Sequence, residues 1–251
     1  MTDRPRTGMA YRRYLRHEIR RTFRNRKFFL FSLAIPLVLY YVMTAGHTDD
    51  RIGTLHLAAY YMVSLAVWGA VTGVVAAGSR ISAERDAGWN RQLRLTALRP
   101  FGYFTTKTVT AYLVAIPTLV ALYAAGAADG VTMDAAHWAT MIGWVLLGLL
   151  PFAALGIVLG LILNAEAMGP ALVGVMVVVG LLGGIWTPVE SYPAWLQALC
   201  HALPSYWITH AGQSALTGQA MSAQGGLVLA AWTGGIVVAG AHAYRRSTRR
   251  S

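Results

Sequence analysis

Trp138-Ala139-Thr140-Met141-Ile142-Gly143-Trp144-Val145-Leu146-Leu147-Gly148-Leu149-Leu150-Pro151-Phe152-Ala153-Ala154-Leu155-Gly156-Ile157-Val158-Leu159-Gly160-Leu161-Ile162-Leu163 runs for 26 residues without one charged side chain. About 20 helical residues cross the roughly 30 Å hydrocarbon core of a bilayer, so this run reads as a membrane span. Runs at 28–45, 54–78, 108–127, 168–186 and 226–244 have the same character, and the sequence therefore predicts six spans. Together they occupy about half of the 251 residues and leave no room for a soluble catalytic domain, so 1–251 is expected to be a single transmembrane domain. The fold class is accordingly an all-α membrane protein.

Composition agrees with that reading. Apolar residues make up 56% of the chain and charged residues 12%, about half of what a soluble domain carries on its surface. The net charge of +11 does not point to nucleic acid, because the 21 basic residues are clustered between apolar runs rather than spread over one face. Arginine outnumbers lysine 19 to 2, as in GC-rich bacterial genomes, and a bacterial cytoplasmic membrane is the expected location. The single cysteine, Cys200, has no second thiol with which to form a disulfide or a thiolate metal site.

Orientation follows from the basic residues, which resist translocation. Ten lie in 1–27, five in 79–100 and four in 245–250, whereas 128–137 and 187–225 have none. Both termini are thus expected in the cytoplasm. The 27 residues before the first run argue against a cleaved leader, and parity alone places the 164–167 loop inside.

Two cytoplasmic segments show helical periodicity. In 1–27, Tyr11, Tyr14, Leu15, Ile19 and Phe23 recur at spacings of three and four among Arg and His, the pattern of a helix lying on the inner leaflet. Its basic face suits anionic headgroups or a partner protein. In 80–98, Ile81, Trp89, Leu93 and Ala97 share one stripe, and Arg99-Pro100 closes the segment. On the other side, 189–217 is too polar to span and too apolar for a solvated loop. Pro193 and Pro204 punctuate it, and Trp195, Leu196, Tyr206 and Trp207 predict two short helices dipping into the outer leaflet as a lid, with their rings packed on the span ends.

The chemistry that is absent also narrows function. The spans carry almost no titratable residues, which disfavours a proton-coupled carrier. Glu166, Glu190, His137, His201 and His210 fall in loops on different sides, a poor arrangement for an intramembrane hydrolase. The only lysines, Lys27 and Lys107, follow Arg26 and Thr106, so no phosphate loop exists and ATP chemistry would belong to a partner. Gly69 with Gly73 and Gly156 with Gly160 are four apart, which allows close approach of helices, and Pro36, Pro117 and Pro151 can kink their spans.

The order of these parts resembles the permease subunits of type-2 ATP-binding-cassette (ABC) exporters over nearly the whole chain, and the drug-resistance subgroup most of all. Glu84-Arg85-Asp86-Ala87-Gly88, leading through Leu93 to Pro100 and Lys107, is similar to that family's coupling segment. The resemblance implies that Glu84, Arg85, Asp86, Gly88, Arg91, Leu93 and Pro100 couple to a nucleotide-binding subunit, their charges free to pair across that interface. ATP and Mg would sit on that partner, with no cofactor or metal on this chain. It further implies a homodimer or a pair with a related permease, moving a drug or lipid outward. Tyr40, Tyr41, Tyr60, Tyr61, Trp68 and Tyr112 keep a glycan substrate open as an alternative, and a membrane immunity or sensor subunit is the reading from another class.

Overall fold

The computed structural model describes residues 15–16, 18–20, 26–46, 50–87 and 100–249. Among these, α1 (Arg26–Thr44) precedes a two-stranded ribbon, β1 (Arg51–Ile52) and β2 (Leu55–His56). Then come α2 (Leu57–Ala76), α3 (Gly78–Asp86), α4 (Pro100–Ala128), α5 (Ala135–Gly148) and α6 (Leu150–Ile162). A long α7 (Ala165–Leu182) is followed by a 3-10 turn at Val189–Ser191, the short helices α8 (Ala194–His201) and α9 (Pro204–Leu216), and α10 (Ala223–Arg249).

Five helical stretches are long and apolar enough to cross a membrane: Leu57–Asp86, Phe104–Ala128, Ala135–Ile162, Ala165–Leu182 and Ala223–His242. The apolar part of α1, Leu30–Thr44, is shorter. The 54–78 run ends differently from its prediction. Ala77 keeps right-handed helical angles, so α2 passes into α3 and the helix reaches Asp86, where a separate helix over 80–98 was expected. The segment 88–99 lies outside the described residues.

The ribbon is an addition to the all-α expectation. Arg51 faces His56 and Ile52 faces Leu55, joined by a two-residue turn. Gly53 takes φ +60° there, which only glycine adopts without strain, and glycine at the first turn position matches the twist of a hairpin.

The core forms around α2. Of its apolar window 83% is buried, against 17% for α7 and for α10, so α2 is the central helix and the other two line the periphery. Small residues admit its neighbours: Gly69 packs on Thr118 and Pro36, Gly73 on Val114, and Met62 on Gly126. The 138–163 run bends at Leu149, between α5 and α6, where Pro151 removes a helical donor. Tyr112 donates to the Leu146 carbonyl beside that break at 2.7 Å, tying α4 to the end of α5.

At the end of the bundle bearing the ribbon, Asp134 caps α5 by accepting from the His137 amide at 2.8 Å. That amide, and then the His137 ring, hold the Asp134 carboxyl below the usual carboxylate range. α9 is sunk into the bundle there: Ile208 packs on Gly148, and Gly212 on Val63. Of the rings expected in the lid, Tyr206 and Trp207 are buried and Trp195 is 71% exposed. Amides of 206–215 are therefore expected to exchange hydrogen far more slowly than those of 218–222, which backbone exchange measurements will show.

Candidate coupling site

At the opposite end, three charged side chains from distant parts of the chain meet inside the protein. Lys107, on the second turn of α4, donates from Nζ to Glu84 Oε1 at 2.8 Å and to Glu18 Oε1 at 2.7 Å. The three side chains are only 2–3% exposed. Taking such charges out of water costs several kcal/mol each unless opposite charge and hydrogen bonds replace the solvent. The short N–O distances supply that replacement and fix three elements at one point: the helical residues 18–20, the α3 helix and α4. Thr110, one turn along α4, donates to the Thr106 and Lys107 carbonyls at 3.0 Å, so its hydroxyl is satisfied within the helix.

Glu84 was expected to face a cytoplasmic partner. The structure turns it inward, and its position on α3 explains why: Gly78, Ile81, Ser82 and Glu84 form the buried face of that helix. The next two residues turn toward the junction of α6 and α7. Arg85 donates from Nη1 to the Leu161 carbonyl and from Nη2 to the Leu163 carbonyl at 2.7 Å. Asp86 accepts the Ala165 amide at 3.0 Å. These two side chains, 26% and 41% exposed, thus have partners within the chain. Of the expected 164–167 loop, only Asn164 lies outside a helix, because α7 begins at Ala165; this junction lies at the same end as Arg85.

Gly88, Arg91 and Leu93 lie outside the described residues, and Pro100 opens α4. Of the interfacial segment, Leu15 and Ile19 are half-buried and helical, while Tyr11 and Phe23 lie outside the described residues. Between the two half-buried apolar positions sits Glu18, which sequence reasoning passed over. Its signal was present: Asp3 and Glu18 are the only acids among ten basic residues in 1–27, and Lys107 is one of two lysines in the chain.

The lid residues stand at the other end of the molecule. Pro193 is exposed and Leu196 half-buried, while Pro204, Tyr206 and Trp207 are buried. Trp207 Nε1 donates to the His201 carbonyl at 2.7 Å. The Tyr206 ring packs between His201, 4.6 Å away, and His210, 5.2 Å away, centroid to centroid. Burial pushes the His210 imidazole below its ordinary range. The buried Glu18–Lys107–Glu84 group and the α8–α9 pair therefore occupy opposite ends, joined by the buried α2.

The fold and the two ends can now be set beside known proteins. The chain matches the family described as ABC-2 family transporter protein over residues 53–243, which takes in every helix from α2 to the apolar part of α10. It is also 28% identical over 191 residues to YvfS of Bacillus subtilis (strain 168), a protein assigned as a transport permease. That alignment covers 75% of this chain and 78% of its relative. A match over most of the chain, carried by a bundle of apolar helices, shows that this multi-pass membrane protein belongs to the ABC-2 transporter family.

Proposed function

We propose that the chain is the permease subunit of an ABC exporter, moving an amphipathic or hydrophobic substrate outward, driven by ATP hydrolysis on a separate nucleotide-binding subunit. It crosses the bacterial cytoplasmic membrane six times with both termini inside, and works as a homodimer or with a related permease. The observation that carries this reading is the Glu18–Lys107–Glu84 joint. A segment meant to receive mechanical work must be anchored to the spans it moves, and Lys107 anchors α3 to α4 and to residues 18–20. In this reading Gly88, Arg91 and Leu93 are the docking residues proper, and Glu84 stiffens the segment from behind.

A hydrophobic substrate suits the wall of the bundle better than a glycan. The groove between α6, α7, α9 and α10, about 420 Å³, is lined by Pro151, Phe152, Val175, Val179, Trp232 and Ile236, all apolar bodies. Outward release would then pass the lid formed by α8 and α9.

Two experiments test the reading. A cysteine at Asp134 in a Cys200→Ser background should be labelled from outside by an impermeant thiol reagent, and one at Arg91 should not; the reverse pattern would overturn the orientation. Second, Gly88→Trp should leave membrane insertion intact and lower export and substrate-stimulated ATP hydrolysis together, by about tenfold or more. Normal export by that variant would remove the docking role of the segment.

A further inference from the structure

The turn between α6 and α7 is two residues long, 163–164, and α3 grips it from both chemical sides. Helix ends expose unpaired carbonyls at the C-terminus and unpaired amides at the N-terminus, with partial charges to match. At the C-terminal end of α6, the Arg85 guanidinium takes the Leu161 and Leu163 carbonyls, and Ser82 Oγ donates to Leu163 as well, at 2.7 Å. At the N-terminal end of α7, the Asp86 carboxylate takes the Ala165 amide. Adjacent residues of opposite charge thus hold adjacent helix ends of opposite polarity. Arg85 Nη2 also lies 3.5 Å from Asp86 Oδ1.

Behind this grip the backbones themselves touch. A Cβ placed on Gly78 would overlap the Gly156 carbonyl oxygen, and one placed on Gly160 would overlap the Gly78 carbonyl oxygen. With no side chains between them, α3 and α6 meet along about two turns of helix, from Gly156 to Leu163. Glu84 points the other way, to Lys107 on α4. The α3 helix is therefore a short rigid bar bonded on one side to α4 and on the other to the α6–α7 turn.

We infer that Arg85 and Asp86 are positioning residues that carry displacement of the cytoplasmic segment into the fourth and fifth spans, so that α3 and the 163–165 turn move as one body during turnover. The inference rests on the coupling reading above and adds the route by which force leaves the docking segment. Besides its continuation into α2, a motion applied at α3 reaches α7, the peripheral helix lining the apolar groove, directly through the 163–165 turn.

The test uses the complex with its ATPase subunit reconstituted in proteoliposomes. Arg85→Ala removes two hydrogen bonds from a charged donor and should lower export about tenfold or more. Arg85→Lys, which keeps a cationic donor for the Leu163 carbonyl, should recover part of it. In an Arg85→Ala, Cys200→Ser background, cysteines at Asp86 and Ala165 joined by a short cleavable thiosulfonate reagent should restore export, and reduction should abolish it again. A merely structural role would not respond to a reversible covalent tie. Spin labels at the exposed positions Ala83 and Glu166 should keep one distance between nucleotide-free and vanadate-trapped states in the Arg85 protein, and change distance in Arg85→Ala.

Normal export by Arg85→Ala, a formed cross-link that restores nothing, or a label distance that changes in the Arg85 protein would each overturn the inference while leaving the coupling reading intact. A wild-type chain that binds no ATPase subunit would remove both.

Discussion

Replacing Lys107 by methionine should destabilise the detergent-solubilised protein by about 3–5 kcal/mol, because it leaves Glu18 and Glu84 buried without the ammonium that sits between them. The effect is larger than that of either single carboxylate change, since Lys107 is the group both carboxylates share. The triple variant Glu18→Gln, Lys107→Met, Glu84→Gln should recover most of the lost stability, because neutral side chains of similar volume no longer carry the cost of buried charge. Thermal unfolding followed by intrinsic tryptophan fluorescence distinguishes these cases. A Lys107→Met protein that melts with the wild type would show that the three charges do not hold the elements together.

The second large effect is expected at Gly78. Valine there would drive its Cβ into the Gly156 carbonyl, and backbone cannot move aside as a flexible side chain does. Overpacking of a core costs about 1–3 kcal/mol and occasionally more, and a backbone obstacle puts this change at the upper end of that range. The expected result is loss of the correctly assembled protein from membranes, read as a monodisperse peak in size-exclusion chromatography of the fluorescently tagged chain. Gly143→Ala is the matched control. Gly143 has open space around its missing Cβ, so alanine there should be neutral or stabilise α5 by up to about 1 kcal/mol. Gly78→Val behaving like the control would mean that α3 and α6 are not in backbone contact.

These two sites show where sequence reading stops. Most apolar runs were legible because a span needs a property of contiguous residues: 168–186 became Ala165–Leu182, and 226–244 lies inside Ala223–Arg249, whereas 54–78 runs on to Asp86 and 28–45 has only the shorter apolar helix Leu30–Thr44. The bend at Pro151 was legible for the same local reason, a missing N–H. The role of Gly156 and Gly160 was half legible. Their spacing announces a close helix contact, and its partner is the continuous α2–α3 helix of the same chain, at Val74, Val75 and Gly78.

The buried joint was not legible. Glu18 and Lys107 are 89 residues apart, and a carboxylate on a helix among ten basic residues reads as part of a solvated face unless the fold is known to bring a lysine beneath it. Glu84, Arg85 and Asp86 were recognised as a functional cluster, yet a charge on a cytoplasmic helix can face water, a partner or the chain itself, and only the position of Gly78 against Gly156 decides which face turns inward. Trp195 was assigned to the packed lid by its residue type; it sits on the side of α8 away from the bundle, while Cys200 fills the buried side.

The central claim is that this chain is moved by an ATPase that docks on the segment following α3. One measurement addresses it most directly. A photo-crosslinking residue is placed at Arg91 or, separately, at Asp134, the tagged chain is purified from its native membranes after illumination, and the adduct is identified by mass spectrometry. The account predicts an ATP-hydrolysing cassette subunit crosslinked from Arg91 and absent from Asp134. Purification without any ATPase subunit, or a crosslink from Asp134 and none from Arg91, would contradict it.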